Sequence, residues 1–157
     1  MSTPRCKTQV LKKVIDVEKC KYWYTYLKEN IKWEESVRSK KGFTRNGKLI
    51  DLAEYMDLYQ LIYDVIQQFN SPYKYKILMT YLNNYENGEM WSPNHTHPKM
   101  HSLVISLGAT RNFNLNKKII EVENGDAIMF GSAVHGVPKQ PEVKEGRISI
   151  AVFLSPI

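Results

Sequence analysis

Nowhere in its 157 residues does the chain carry an apolar run long enough to cross a bilayer. The opening stretch, MSTPRCKTQVLKK, lacks the apolar core that a signal peptide needs. Cysteine is scarce. Cys6 and Cys20 are the only two, and their spacing suits neither a disulfide framework nor a ligand pair. No repeat, low-complexity tract or interdomain linker interrupts the chain. Hydrophobic residues make up 43%, well above the range of a disordered chain. These absences predict one soluble, intracellular domain over residues 1–157, cytoplasmic or nuclear, monomeric and without membrane association.

Charge is distributed unevenly. Between Arg5 and Lys48 there are 13 basic residues against 5 acidic ones, a surplus of +8 that exceeds the +6 of the whole chain. Tyr22, Trp23, Tyr24, Tyr26, Trp33 and Phe43 are interleaved with them. Cations beside aromatics suit a phosphate backbone and stackable bases, so DNA or RNA is an expected partner. The same pattern also describes a solvated surface whose aromatics turn into a core.

The first half reads as helical. Asp16 is placed to cap a helix over residues 19–31, and a polar loop is expected over 36–47. Leu52, Tyr55, Met56, Tyr59, Ile62, Tyr63 and Ile66 follow at helical spacing within residues 49–69, and Asn70-Ser71-Pro72 stops the pattern. From Tyr75 the chain changes to short apolar runs over 75–83, 102–107, 112–115, 118–122, 127–130 and 148–154. Turn residues separate the runs. Many short strands predict a mainly β (α+β) fold, a sandwich or jelly roll with an N-terminal helical layer. Residues 1–75 would form the basic helical part, and 76–157 the jelly-roll core.

Histidine is absent from the first 94 residues and then concentrated at His95, His97 and His101, with His135 further on. In an extended segment alternate side chains share a face, which brings His95 and His97 together. His135 follows a later strand, as a distant third ligand does in a jelly roll. Imidazole suits iron, zinc, copper or nickel, and the ligands alone do not choose among them. Arg147 opens the last strand; turned inward it would bind a carboxylate in bidentate fashion, and turned outward it would be an edge residue.

In order along the chain come Asn83-Asn84-Tyr85-Glu86-Asn87-Gly88, His95, Ser106-Leu107-Gly108, Gly125-Asp126, His135-Gly136-Val137 and Arg147-Ile148-Ser149. This succession resembles the AlkB-like iron(II)/2-oxoglutarate dioxygenases. The match covers the last half of the chain. In the first half, Ile31-Lys32-Trp33 and Thr44-Arg45 are similar to the family's substrate-facing lid. The resemblance implies a double-stranded β-helix with His95 and His135 as iron ligands. It also implies 2-oxoglutarate contacts from Asn83 and Tyr85, pairing of Arg147 with its distal carboxylate, and Ser149 beside the same pocket. Gly88 and Gly108 would serve turns, and Asp126 would close a turn rather than bind metal.

Two positions depart from the family pattern. His97 stands where the family has its ligand aspartate, which completes a three-histidine set of His95, His97 and His135 and leaves the site one unit more positive. Phe153 stands where the family repeats its arginine. His101 is expected in the pocket wall, and Trp33 and Trp91 are either base-stacking or core residues. The implied reaction consumes O2 and 2-oxoglutarate, demethylating or hydroxylating a nucleic-acid base. A protein or small-molecule substrate, or a non-catalytic jelly roll holding zinc or nickel, are the alternatives.

A nucleic-acid surface makes a prediction about salt. Lys40, Lys41, Arg45 and Lys48 cluster in the expected lid. Filter binding of single- and double-stranded DNA and RNA across a salt series should show affinity falling steeply with salt. Neutralising all four should flatten that dependence by up to about four units of slope. Salt-independent binding would turn the preference to a protein or small molecule.

Overall fold

The computed structural model describes residues 6–39 and 42–157, with the side chains of 36–43 left aside. Lys40 and Lys41 of the expected basic cluster lie outside the described residues. The elements run β1 (Gln9–Leu11), α1 (Val17–Asn30), β2 (Glu34–Ser39), β3 (Gly42–Ile50), a 3-10 turn (Leu52–Glu54), α2 (Met56–Gln67), β4 (Tyr75–Tyr85), β5 (Ser92–His95), β6 (His101–Gly108), β7 (Arg111–Leu115), β8 (Lys118–Val122), β9 (Ala127–Phe130), β10 (His135–Val137) and β11 (Arg147–Pro156). No helix among the described residues is long and apolar enough to cross a membrane.

Two antiparallel sheets form the body, a large one in the order β1-β9-β6-β11-β4-β3-β2 and a small one in the order β5-β10-β7-β8. The expected double-stranded β-helix is present, with its helical layer on one side. Side-chain alternation decides what each face of the large sheet does. On β11, Ile148, Ile150, Val152 and Leu154 join Leu103, Ile105 and Leu107 of β6 in a core shared with the helices. The intervening Arg147, Ser149, Ala151 and Phe153 line a cavity between the sheets. Tyr85, Val104, Phe113, Leu115, Val122, Ile128, Phe130 and Val137 form the inter-sheet core. Each fully buried aliphatic side chain contributes about 1.5–3 kcal/mol, so both faces are strongly held.

The Asp16 side chain accepts a hydrogen bond from the Lys19 amide at 2.9 Å and starts α1 as expected. Cys20, Trp23 and Leu27, spaced three and four residues apart, bury its apolar face. The second helical segment is shorter than its periodicity predicts. Leu49 and Ile50 pair with Tyr81 and Thr80 as strand, and Asp51 caps only the 3-10 turn before α2 begins. The buried face of α2 is Leu58, Leu61, Ile62 and Val65, whereas Met56, Tyr59 and Tyr63 are exposed. The purely aliphatic stripe takes the core in preference to the aromatic one beside it. The expected loop over 36–47 instead contributes to strands β2 and β3, and β3 extends the large sheet from β4.

Gly108 has φ +90°, a left-handed conformation suited to glycine at the turn after β6. A Cβ on Gly88 would meet the Gln140 carbonyl at 1.7 Å, so glycine here lets the two loops lie against each other. Asp126 is fully buried at the turn before β9. It accepts hydrogen bonds from the Lys13 amide at 3.0 Å and the Glu123 amide at 2.8 Å, and pairs with Lys12. Despite burial, these partners hold its carboxyl below the usual range.

Because the folded carboxyl titrates below the unfolded one, its stabilisation is present above about pH 4 and lost as pH falls through the lower folded value. Asp126→Asn turns an amide donor toward a backbone donor and should cost about 2–3 kcal/mol at pH 7. Urea unfolding at pH 7 and at pH 3.5 should show that difference shrinking at the acid end. An equal cost at both values would mean the carboxylate charge plays no part.

Candidate metal and anion site

His95 closes β5, His97 follows two residues later, and His135 opens β10 directly opposite His95. Their rings are 4.7 Å (His95–His97), 4.3 Å (His95–His135) and 5.3 Å (His97–His135) apart between centroids. One ring nitrogen from each lies within 4.8 Å of the others, a spacing that an ion with bonds of about 2.0–2.1 Å can draw together. The Nδ1 of His95 lies 2.7 Å from the Pro93 carbonyl, and that of His135 lies 3.0 Å from the Ala133 carbonyl. A carbonyl only accepts, so both Nδ1 atoms donate, and Nε2 is the nitrogen left for a metal. Burial, reinforced by His95 and His97, pushes His135 down to about 4. Burial and the nearby His95 also lower His97. At neutral pH His97 and His135 are uncharged donors.

The cavity holding this cluster has a volume of about 320 Å³. Along β11 it runs from Phe153, whose ring lies 4.7 Å from that of His97, past Ala151 and Ser149 to Arg147. No described aspartate or glutamate lines it. Arg147 is 1% exposed, its Nε donates to the Ser106 hydroxyl at 2.8 Å, and its Nη1 has no hydrogen-bond partner among the described residues. Burial is the first cause of a guanidinium pKa lowered to about 10. Ser102, whose buried hydroxyl likewise lacks a partner, lies near the histidine end, opposite Phe153 and Phe130. Each end of the cavity therefore presents a buried polar atom without a partner among the described residues. Such atoms call for water or a ligand, because a buried polar group left unpaired costs about 1–3 kcal/mol and a charged one more.

The other expected residues surround Arg147. The Asn83 amide is fixed from both sides, its Oδ1 accepting from Arg45 Nε at 2.8 Å and its Nδ2 donating to the Ser149 hydroxyl at 3.1 Å. Tyr85 is 2% exposed, with three guanidinium carbons around its ring, at 6.0 Å (Arg45), 5.4 Å (Arg111) and 5.4 Å (Arg147). The negative faces of the ring partly offset three buried cations. Arg111 had no sequence signal. Its guanidinium donates to the Asn87, Met90 and Pro138 carbonyls and to Gln140, so it ties loops together and has no motif of its own.

Several expectations are corrected. His101 is not in the pocket wall: it is 1% exposed, outside the cavity lining, and its Nδ1 meets the Tyr75 hydroxyl at 2.9 Å. Arg45 is buried at the cavity rather than displayed on a basic surface, and Lys48 pairs with Glu34. Trp33 packs against the helical core, one of its two expected roles, and Trp91 bonds through its amide to Thr44; neither lines the cavity.

Fold and site together define a jelly roll with a three-histidine cluster at one end of a cavity and buried guanidinium groups at the other. No protein-family model matches the chain, and no curated protein does. Solved structures share its fold. HygX from Streptomyces hygroscopicus, solved with nickel and 2-oxoglutarate bound, aligns with TM-score 0.75 and 10% identity over 95% of this chain and 82% of its own. An oxidoreductase of the 2OG-Fe(II) oxygenase family from Burkholderia pseudomallei aligns with TM-score 0.70 and 16% identity, over 94% and 85%. The viral collagen prolyl hydroxylase of Paramecium Bursaria Chlorella virus-1, in its 2OG complex, aligns with TM-score 0.60 and 12% identity, covering 96% of each chain. At these identities the likeness establishes the fold.

The histidine cluster carries its own test. Nickel titration followed by calorimetry should show a single site that is lost in His135→Ala and strongly weakened in His97→Ala. His101→Asn should leave nickel affinity unchanged while lowering thermal stability. Full affinity in His97→Ala would reduce the metal set to two histidines.

Proposed function

We propose that the protein is an iron(II)- and 2-oxoglutarate-dependent oxygenase of the AlkB-like kind. One observation supports this above the others. The cavity that gathers His95, His97 and His135 also holds the Arg147 guanidinium, whose Nη1 has no described partner, and contains no described acid to neutralise it. A 2-oxo dicarboxylate has the complementary shape, with a chelating end for a metal and a second carboxylate for Arg147. When bound, iron(II) and 2-oxoglutarate supply O2 activation coupled to decarboxylation, yielding succinate and CO2. The three histidines hold the metal, Arg147 and Tyr85 orient the cosubstrate, and Asn83 and Ser149 complete its polar wall. Phe113, Phe130 and Phe153 keep the metal end apolar and short of water. The solved relatives with bound 2-oxoglutarate agree with this reading.

For the substrate, the N-terminal basic surplus supports a nucleic-acid base. The inward position of Arg45 and the pairing of Lys48 with Glu34 remove two of its four assigned contacts and favour a protein or small molecule instead. The replacement of a ligand aspartate by His97 favours a second reading, a jelly roll that holds zinc or nickel without turnover.

Succinate release separates the readings. With iron(II), 2-oxoglutarate and O2, turnover above background is expected, and methylated single-stranded DNA or a peptide pool should stimulate it according to substrate class. Arg147→Ala should weaken 2-oxoglutarate binding by about 2–4 kcal/mol through loss of a desolvated charge pair. Tight metal binding with no 2-oxoglutarate affinity would leave the non-catalytic module.

A further inference from the structure

Arg147 is not the only guanidinium turned into this cavity. Strand β3 pairs with β4 as far as Asn46 opposite Asn84, and the guanidinium of the preceding Arg45 lies 6.0 Å from the Tyr85 ring. Arg147 lies opposite Tyr85 from the other side. Arg45, Tyr85 and Arg147 therefore form one row across three adjacent strands, on the face that lines the cavity. Arg45 is 8% exposed. Its Nε is held by Asn83 at 2.8 Å and its Nη1 by the Thr44 hydroxyl at 3.3 Å, whereas its Nη2 bonds to no described residue. Asn83 also anchors Ser149, so one amide fixes both flanks of the row.

Two guanidinium groups at one end of a cavity without acids amount to more positive charge than scaffolding requires. Arg111 shows the contrast, since its donors are spread over backbone carbonyls and Gln140. A cation held in place by neutral partners, with donor capacity left over, is arranged for an incoming anion.

We propose that Arg45 is a second carboxylate-binding residue of this cavity, closing with Arg147 on the far carboxylate of a dicarboxylic 2-oxo acid. The proposal rests on the oxygenase reading above and adds to it a specificity determinant. The two-arginine end would select dicarboxylic over monocarboxylic 2-oxo acids. Arg45 would then act inside the pocket and not as a phosphate contact on its surface.

The test uses the nickel-loaded full chain and calorimetric titration with two probes. These are 2-oxoglutarate, which reaches both ends, and oxalate, which occupies the metal end and has no far carboxylate. Arg45→Gln should weaken 2-oxoglutarate about 10- to 100-fold and leave oxalate within about threefold. Arg45→Lys, which keeps the charge and loses the fork, should fall between Gln and wild type. An unchanged 2-oxoglutarate affinity in Arg45→Gln, beside a large loss in Arg147→Gln, would overturn this proposal and leave the oxygenase reading intact. Equal weakening of both probes would also overturn it, by showing that Arg45 acts through the scaffold at Asn83. Failure of the wild-type nickel form to bind 2-oxoglutarate at all would remove the oxygenase reading and this proposal together.

Discussion

The alternation of side chains along β11 is the constraint on which the rest of the molecule depends. Ile148, Ile150, Val152 and Leu154 are committed to the helix-side core, so Arg147, Ser149, Ala151 and Phe153 have no choice but the cavity. A slip of one residue would turn the Arg147 guanidinium toward the helix-side core and remove it from the cavity. Both neighbours hold the register, β4 on one side and β6 on the other, each paired with β11 for most of its length. The position of Arg147 is thus paid for by apolar burial on the opposite face, which explains how a fully buried cation without an acid is held in a stable fold.

The same alternation explains which parts of the site were legible in the sequence. His95 and His97 are two residues apart on an extended segment, and His135 is the one histidine beyond that cluster, so their convergence followed from strand geometry. His101 was misplaced although the signal was present. It shares parity with Leu103, Ile105 and Leu107, which are apolar because they face the helices, and that parity takes it away from the cavity. Reading Ser102 as the first strand residue hid the relation.

Other parts left no pattern to read. Strands β5 and β10 have four and three residues, too few for alternation to register. Strand β3 is rich in polar residues because part of its inner face lines a polar cavity end, so Gly42–Ile50 resembles a loop when taken alone. Arg45 was accordingly grouped with surface lysines. Arg111 spends its donors on carbonyls, a kind of partnership that no sequence motif records.

Charge then connects the two ends of the cavity. His97 and His135 are held neutral, and no described acid lines the wall, so a divalent ion would bring its charge into a space that already contains Arg45 and Arg147. In a low-dielectric pocket that excess is unfavourable unless the ligands supply the anions. A carboxylate at position 97 would cancel one charge permanently; histidine leaves the compensation to what binds. Metal and dicarboxylate affinities should therefore be coupled, each raising the other, because the dianion offsets the positive excess to which the metal adds. The departure at His97 and the second arginine have the same physical consequence. On the oxygenase reading both would make the pocket dependent on anionic ligands, with its charge balanced only when it is occupied.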